Sequence, residues 1–515
     1  MEWHWDIDMN PCNLTNPSDL TNPRNLTNPC DLTARAARRL IGNKRLSAVE
    51  LLDSCLDRIR AVNPAVNAIV AMDEAGARAQ AERADQAVRR GDTLGPLHGL
   101  PVGIKDTEDA AGLPTTFGSP LFRRNIASHD HRTTAAIRAA GGIVLGKTNV
   151  PEFAAGANTR NAVFGATGNP FDPMRSAAGS SGGSAVALAC GMLPLATGSD
   201  LGGSLRNPAA FCGIVGFRPS PGLVPAEARQ HGWSGLSVLG PMARNVADTA
   251  LLLSAMAGHE PRDPFSAPID ATGFAALPEI DLASIRAAFT PDFGFAPTEN
   301  GVRAAFAEKT ALFRAVLARG DDATPDCTGA DRAFEVLRAI GMVAAHQDKC
   351  RDHPGQVGPN IRANVEEGLR YTAVDVADAM TAQTVLYRRW QEFFAEYDVV
   401  ITPAITISPR PWTELYPSEI DGRPTRTYFH WLALSYAVTL AGHPAVALPC
   451  GLDGQGMPFG LQIVGRRGAD RHVLAVAAAF ERYLAWDGRT ARPVPDLTRL
   501  RSAPPLSSAP GFLGF

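Results

Sequence analysis

Apolar residues recur at helical spacing between residues 52 and 62. Just before them, Ser47 and Glu50 form the S-x-x-E pattern of a capping box, which satisfies free backbone N–H groups at the start of a helix. The apolar positions that follow are three or four residues apart: Leu52, Cys55, Leu56, Ile59 and Val62. The pattern predicts an amphipathic helix that ends at the Asn63-Pro64 pair.

Helices and strands alternate along much of the chain. An alanine-rich helix is predicted to run to about Arg90, with Gly91 as its terminator. Further helices are predicted at 133–140, 184–191, 335–349 and 374–394. Short apolar runs predict strands at 100–104, 143–145, 398–402, 444–449 and 459–464. This alternation predicts an α/β fold with helices on both faces of a sheet.

Composition divides the chain into three parts. Residues 1–31 carry a repeat built on Asn-Leu-Thr-Asn-Pro, and a proline every six residues excludes a continuous helix. We interpret them as a flexible tail. Residues 32–490 are interpreted as one domain, in which about 255–400 form a helix-rich insertion. Residues 491–515, rich in Pro and Ser, are interpreted as a tail on the surface.

Composition and charge exclude several functional classes. The 515 residues are 45% hydrophobic and 20% charged, which is typical of a globular chain with a large core. A net charge of −3 argues against nucleic acid or an anionic membrane as a partner. No apolar run reaches the ~20 residues of a membrane span, and the first residues lack the basic and apolar regions of a signal peptide. We therefore expect a cytoplasmic protein.

The eight cysteines form no CxxC pair and no cluster with metal-ligand spacing. Buried, reduced thiols are the expected state in a reducing compartment. We expect neither a metal nor a cofactor.

A phosphate-loop pattern, G-x-x-x-x-G-K-[ST], matches residues 141–148. That motif needs a strand before its first glycine and a helix that begins at its lysine. Here a predicted helix precedes the motif, the predicted strand lies inside it, and Pro151 follows closely. We therefore interpret Lys147 as a structural residue.

An esterase-like pattern, G-x-S-x-G, matches residues 179–183 and makes Ser181 an apparent nucleophile. Such an enzyme also needs a carboxylate and a histidine later in the chain. Asp398 with His430 or His443 could supply them. No local motif supports these residues, so this alternative is not favoured.

A more specific pattern joins one lysine and two serines. Lys105 follows an apolar run, so burial should keep its amine neutral and able to accept a proton. Ser180 and Ser204 lie in two glycine-rich turns, and a serine hydroxyl needs an adjacent base to become a nucleophile. The backbone N–H groups that can converge on an oxyanion belong to Leu201, Gly202, Gly203 and Ser204. The pattern predicts acyl transfer without a histidine.

The sequence resembles the amidase signature family from residue 32 to about residue 484. The segments that carry the resemblance are GPLHGLPVGIKD (95–106), GKTNVPEF (146–153), GATGNP (165–170), AGSSGGSAVALACG (178–191) and GSDLGGSLRNPAAFCGIVGFRPS (198–220). The resemblance implies a core of mixed, twisted β-sheet flanked by helices, with the helix-rich insertion on the substrate side.

The resemblance also implies roles for individual residues. Ser204 would be the nucleophile, Ser180 the relay serine with a cis peptide bond, and Lys105 the base. The positions implied to support the site are Ser181, Asp200 and Arg206. Ala154 falls where relatives contact the substrate, and its small side chain would leave room for a bulky group.

By resemblance, the chain is an amidase that uses water to cleave the C–N bond of a small-molecule amide, aryl-acylamide or carbamate through an acyl-enzyme on Ser204. The alternative is the amidase subunit of a tRNA-dependent amidotransferase. Members of that branch usually carry Ser-Leu-Asp-Gln before Gly-Pro, whereas this chain has Gly-Leu-Ser-Val-Leu before Gly240-Pro241. A homodimer is possible. The aromatic residues proposed to line or cover the pocket are Trp390, Tyr416, Tyr428, Phe429 and Trp431.

Overall fold

The fold is organised around a large mixed β-sheet. A computed structural model describes residues 28–515, so most of the predicted N-terminal tail lies outside the described residues. The strands of the described part are β1 (Ile69–Met72), β2 (Pro101–Lys105), β3 (Ile143–Thr148), β4 (Leu195–Asp200), β5 (Val215–Arg218), β6 (Val238–Ala243), β7 (Arg286–Phe289), β8 (Arg319–Asp322), β9 (Val399–Pro403), β10 (Glu419–Ile420), β11 (Arg423–Pro424), β12 (Ala445–Leu452) and β13 (Pro458–Gly465).

The main sheet has the strand order β1-β3-β2-β4-β6-β5-β12-β13-β9-β7-β8, and β10 pairs separately with β11. The neighbours β3, β2 and β4 run parallel, as do β9, β7 and β8. The other neighbouring pairs of the main sheet are antiparallel. Parallel neighbours need crossover connections, which the intervening helices supply. The predicted α/β class is confirmed.

Helices flank this sheet. Those of the described part are α1 (Ala34–Gly42), α2 (Ala48–Val66), α3 (Glu74–Arg90), α4 (Arg132–Ala139), α5 (Gly182–Ala189), α6 (Arg206–Cys212), α7 (Val246–Met256), α8 (Asn300–Ala311), α9 (Ala330–Asp352), α10 (Pro359–Arg370), α11 (Ala373–Phe393), α12 (Ala433–Ala441), α13 (Asp470–Leu484) and α14 (Leu497–Ser502). The helices predicted at 133–140, 184–191, 335–349 and 374–394 are present, as α4, α5, α9 and α11.

The predicted start of α2 is confirmed and its predicted end is wrong. Ser47 and Glu50 form the capping box, but the helix continues through Pro64 to Val66. A proline in the last turn removes a single intrahelical donor. The helix ends where Asn67 adopts a left-handed conformation with φ of 52°.

The helix-rich segment between residues 255 and 400 also contains strands that the hydrophobic pattern did not reveal. It contributes β7 and β8, which extend one edge of the main sheet. β8 has the sequence Arg-Gly-Asp-Asp and is only partly buried, so it lacks the apolar alternation of a core strand. Its parallel pairing with β7 makes it a strand.

Both predicted tails contain packed residues. Cys30 is 1% exposed, its N–H donates to Ser54 Oγ at 3.0 Å, and Asp31 pairs with the buried Arg58. Near the other end, the Arg160 side chain donates to carbonyl oxygens of Gly511 and Leu513. The described parts of both segments therefore pack against the domain.

No helix within residues 28–515 has both the length and the hydropathy that crossing a bilayer requires. The same residues hold no group of three or more His, Cys, Asp or Glu side chains suited to a metal ion. No disulfide joins the cysteines within residues 28–515, and all of these cysteines except Cys350 are buried.

The topology brings distant motifs together at one edge of the sheet. β2 and β4 are parallel neighbours in which Val102 is opposite Leu195, so their carboxyl ends meet. Lys105 ends the first of these strands and Asp200 the second. Each glycine-rich turn leads directly into a helix, the first into α5 and the second into α6.

Candidate active site

Lys105 lies at the centre of a cluster of serine hydroxyls. Its side chain is fully buried, and its Nζ atom lies 2.7 Å from Ser180 Oγ, 2.9 Å from Ser181 Oγ and 2.8 Å from Ser199 Oγ. Burial lowers the pKa of Lys105 to about 7, although the carboxylates of Glu108 and Asp200 oppose the shift. An amine with this pKa is largely neutral just above neutral pH, so it can accept a proton.

The two glycine-rich turns are joined through their backbones. The Gly179–Ser180 peptide bond is cis. The N–H of Ser181 donates to the carbonyl oxygen of Ser204 at 3.3 Å, which ties the first turn to the second. Ser180 is 1% exposed, whereas Ser204 is only partly buried. Of these two serines, Ser204 is the one that a ligand can reach from solvent.

Ser199 is a member of this cluster that sequence reasoning missed. It lies on β4, two residues after Thr197, so both side chains are on the same face of the strand. The hydroxyl of Thr197 accepts from the backbone N–H of Lys105 at 3.0 Å, and that of Ser199 accepts from Lys105 Nζ. Two hydroxyl residues at a spacing of two, just before Asp200, were the available sequence signal.

The carboxylate of Asp200 binds the second glycine-rich turn. Its carboxylate accepts from Arg206 Nε at 2.9 Å and from Arg218 Nη1 at 3.1 Å, and all three residues are fully buried. It also accepts from the N–H groups of Gly203 and Leu205. Burial alone would raise the pKa of the Asp200 carboxyl, but the two guanidinium groups hold it well below its usual range.

Arg206 connects this carboxylate to residues much later in the chain. In addition to Asp200, it donates to the acceptors Ser435 O (3.0 Å), Gln462 Oε1 (2.6 Å) and Thr439 Oγ1 (3.2 Å). The turn that carries Ser204 is thereby attached to α12 and β13.

We expect Asp200→Asn to destabilise the protein by about 3–5 kcal/mol, because it leaves two buried guanidinium groups without their carboxylate. Unfolding in urea measures the loss. Asp322→Asn is the matched control, since Asp322 is 81% exposed in its ion pair with Arg314 and should contribute less than about 1 kcal/mol. An Asp200→Asn protein as stable as the control would show that the buried network does not hold the turn.

The predicted oxyanion loop differs at one position. The N–H of Gly203 donates to Asp200 Oδ1 at 3.0 Å, so it is not available to a substrate. Within residues 28–515 the N–H groups of Leu201, Gly202 and Ser204 have no acceptor. Gly203 has φ of 104°, and a Cβ atom there would lie 2.4 Å from Ser435 Oγ, so only glycine fits.

The phosphate-loop match is structural, as predicted. Residues 143–148 are the buried strand β3. Lys147 Nζ donates to Glu108 O at 2.5 Å and to Thr115 Oγ1 at 2.9 Å, and it lies 3.6 Å from Asp106. The amine of Lys147 therefore interacts with groups inside the protein.

The esterase-like alternative is not supported either. Asp398 pairs with Arg286 at 2.7 Å. His443 is packed among the rings of Tyr387, Trp390 and Phe394, and His430 accepts from the backbone N–H of Arg426. The structure therefore brings none of these residues to Ser181.

Ala154 lies in a loop beside the first glycine-rich turn. Three residues further along, the backbone of Ala157 lies 3.1 Å from where a Cβ atom of Gly179 would be. Phe153 packs against His346 of α9 with ring centroids 4.6 Å apart. The loop therefore bridges the turn and the helix-rich segment.

The five aromatic residues proposed to line or cover the pocket fall into two groups. Trp390 is fully buried in the core beside Phe293 and His443. Tyr428 and Phe429 instead belong to a cluster beside the oxyanion loop. Phe429 packs on Phe334, and a Cβ atom on Gly202 would lie 3.4 Å from Cζ of Phe334. The remaining two also lie near Tyr428: Tyr416 by ring contact and Trp431 by a hydrogen bond from Nε1 to its carbonyl oxygen.

The chain is similar to known proteins in both sequence and structure. The model of a protein family described as Amidase matches residues 50–474. The chain belongs to the amidase signature family. An acylamidase from Rhodococcus erythropolis is 34% identical over 449 residues, which cover 87% of this chain and 94% of that protein. As a family member, the chain is an amidase, a hydrolase of carbon–nitrogen bonds in amides.

Other relatives of this amidase come from a different branch. One subunit of the glutamyl-tRNA(Gln) amidotransferase from a Picosynechococcus species is 34% identical over 479 residues, covering 87% of this chain and 97% of that protein.

The solved structure of a bacterial aryl acylamidase belonging to the amidase signature enzymes is also similar, with a TM-score of 0.82 and 27% identity. That similarity covers 88% of this chain and 96% of the aryl acylamidase.

Proposed function

We propose that the protein hydrolyses small-molecule amides through an acyl-enzyme on Ser204, with Ser180 as proton relay and Lys105 as base. One observation carries the proposal: the buried Lys105 amine, whose pKa is about 7, lies 2.7 Å from Ser180 Oγ. The backbone link between Ser181 and Ser204 places the second turn beside this pair. Substrates include aryl-acylamides and carbamates.

The number of donors on the lysine supports a relay. A protonated amine has three N–H donors, which match the three hydroxyl oxygens around Lys105 Nζ. The neutral amine has two donors and one lone pair, so one hydroxyl must then donate to it. In our proposal that hydroxyl is Ser180, whose oxygen becomes free to accept the proton of Ser204.

The proposed reaction has two halves. Ser204 Oγ attacks the amide carbonyl as its proton passes to Ser180, while the Ser180 proton passes to Lys105. The oxyanion accepts hydrogen bonds from the backbone N–H groups of Leu201, Gly202 and Ser204. The C–N bond then breaks as the proton returns through Ser180 to the leaving nitrogen. Water deacylates Ser204 by the same route and releases the acid.

Turnover of a substrate panel tests the proposal. We expect release of amine from some members of a set of aliphatic amides, anilides and aryl carbamates by the purified chain alone. Amine release measured by chromatography provides the readout. Absence of turnover across the set, together with absence of labelling by a fluorophosphonate, would contradict the proposed function.

A second candidate is the amidase subunit of a tRNA-dependent amidotransferase. The observation that favours it is the 34% identity with one such protein. The Gly-Leu-Ser-Val-Leu stretch before Gly240 departs from the pattern usual in that branch. Glutamine hydrolysis that appears only when partner subunits are added would support this candidate over the free-standing enzyme.

A further inference from the structure

Arg338 on α9 is a buried cation without a carboxylate partner. It is 5% exposed; its Nη1 donates to Asn364 Oδ1, and its Cζ lies 4.8 Å from the ring centroid of Tyr428 and 4.7 Å from that of Phe429. Within residues 28–515 no Asp or Glu lies within ion-pair distance of this guanidinium. Its Nε and Nη2 groups donate no hydrogen bond to the described chain.

Within residues 28–515, three of the four other buried arginines have a carboxylate partner, whereas Arg244 donates to the carbonyl oxygens of Leu193, Cys30 and Leu32. Arg206 and Arg218 share Asp200, and Arg58 pairs with Asp31. A buried guanidinium without an anion is costly, and burial lowers the pKa of Arg338 to about 10.

Two carboxylates in this region, Glu367 and Glu335, hydrogen-bond to another side chain and not to Arg338. Glu367 attracts the charge of Arg338 without forming an ion pair. The single proton of the Tyr371 hydroxyl is shared between Oε1 of Glu367 at 2.7 Å and Oε1 of Glu335 at 3.0 Å, and Glu335 also pairs with Arg332. The guanidinium therefore keeps donors for a further anion.

Arg338 lies close to the oxyanion loop. A Cβ atom on Gly202 would be 3.4 Å from Cζ of Phe334. Phe334 and Arg338 are four residues apart on α9, so they share a face and are separated by about 6 Å along the axis. The ring of Phe429 packs against both.

The same helix continues to the loop that holds Ala154. His346, eight residues after Arg338, packs on Phe153. Along α9, Arg338 therefore lies between the contact of this helix with Gly202 and its contact with the Phe153–Ala154 loop.

We propose that Arg338 binds a carboxylate of the substrate, so that the preferred amides carry a carboxylate a few bonds from the scissile carbonyl. This inference rests on the proposed amide hydrolysis. The planar guanidinium can donate two parallel hydrogen bonds to such a group, and Tyr428 and Phe429 hold it in place. Arg338 is then a specificity-determining residue.

Matched substrates test this inference. Succinanilate and butyranilide differ by a carboxylate on the acyl side, and 4-acetamidobenzoate and acetanilide differ by one on the leaving side. In at least one pair we expect kcat/KM to be roughly 10- to 100-fold higher for the carboxylate. Arg338→Met should reduce that ratio to about one, and Arg338→Lys should keep part of it. Arg388→Met, on the exposed face of α11, is the control and should leave the ratio unchanged.

Two results would overturn the inference. One is a wild-type ratio at or below one in both pairs, which decides the matter even if Arg338→Met does not fold. The other is an unchanged ratio in Arg338→Met with a wild-type melting temperature, which would make Arg338 a structural clamp for the aromatic cluster. Hydrolysis of the neutral anilides in either case would leave the proposed function standing, whereas absence of all hydrolysis and of fluorophosphonate labelling would remove both.

Discussion

Ser204→Ala should lower kcat/KM by roughly 10⁵-fold or more, because removal of a nucleophile leaves only substrate binding and oxyanion stabilisation. The substitution removes one partly buried hydroxyl for which the structure shows no hydrogen bond within the described residues. The fold should therefore be unchanged. Initial rates on the best amide of the panel, together with a thermal melt, provide the measurement.

The control for this substitution is Ser507→Ala, at an exposed position near the end of the chain. It should keep wild-type activity. Ser181→Ala is the informative comparison, because the esterase-like motif would make Ser181 the nucleophile. Near-wild-type rates in Ser204→Ala with complete loss in Ser181→Ala would reverse the assignment.

Lys105→Met should lower kcat/KM by about 10³-fold or more, since it removes the amine that is placed to take the proton of Ser180. The pH profile of the wild-type enzyme should also show that kcat/KM depends on the neutral amine of Lys105. Because the pKa of Lys105 is lowered to about 7, the neutral base is present above that pH and is lost below it. We expect kcat/KM to fall about tenfold per pH unit below pH 6 and to be constant above pH 8.

Lys44→Met, at an exposed position, is the matched control and should retain both the rate and the pH profile. Lys105→Met leaves three hydroxyls without their central donor, so its folding must be checked by circular dichroism. A folded Lys105→Met protein with a wild-type rate, or a wild-type profile that is flat from pH 5 to pH 9, would contradict the role of Lys105 as base.

The hydrophobic pattern predicted much of the fold. The capping box at Ser47, the helix that ends at Gly91 and the buried strand before Lys105 are local features, and local features can be read from neighbouring residues. β8 could not be found in this way, because Arg319–Asp322 becomes a strand only through pairing with β7. Pro64 shows the same limit, since tertiary packing maintains α2 past a residue that usually ends a helix.

The same limit applies to the candidate site. The motif resemblance identified Lys105, Ser180 and Ser204 as candidates. The distances between the side chains of the site, however, depend on the pairing of β2 with β4. That pairing also brings in Ser199, a residue of the second motif to which the resemblance assigned no role. Arg338 could not be identified from the sequence for a similar reason, because its place beside the oxyanion loop depends on how α9 packs.

Peptide mapping after fluorophosphonate labelling tests the central claim most directly. A fluorophosphonate phosphorylates a serine that is both activated and accessible, and the modified peptide identifies that serine by mass spectrometry. The account predicts a single adduct on Ser204, which disappears in Ser204→Ala and is strongly slowed in Lys105→Met. An adduct on Ser180 or Ser181, or labelling of Ser204 at an unchanged rate without Lys105, would contradict it.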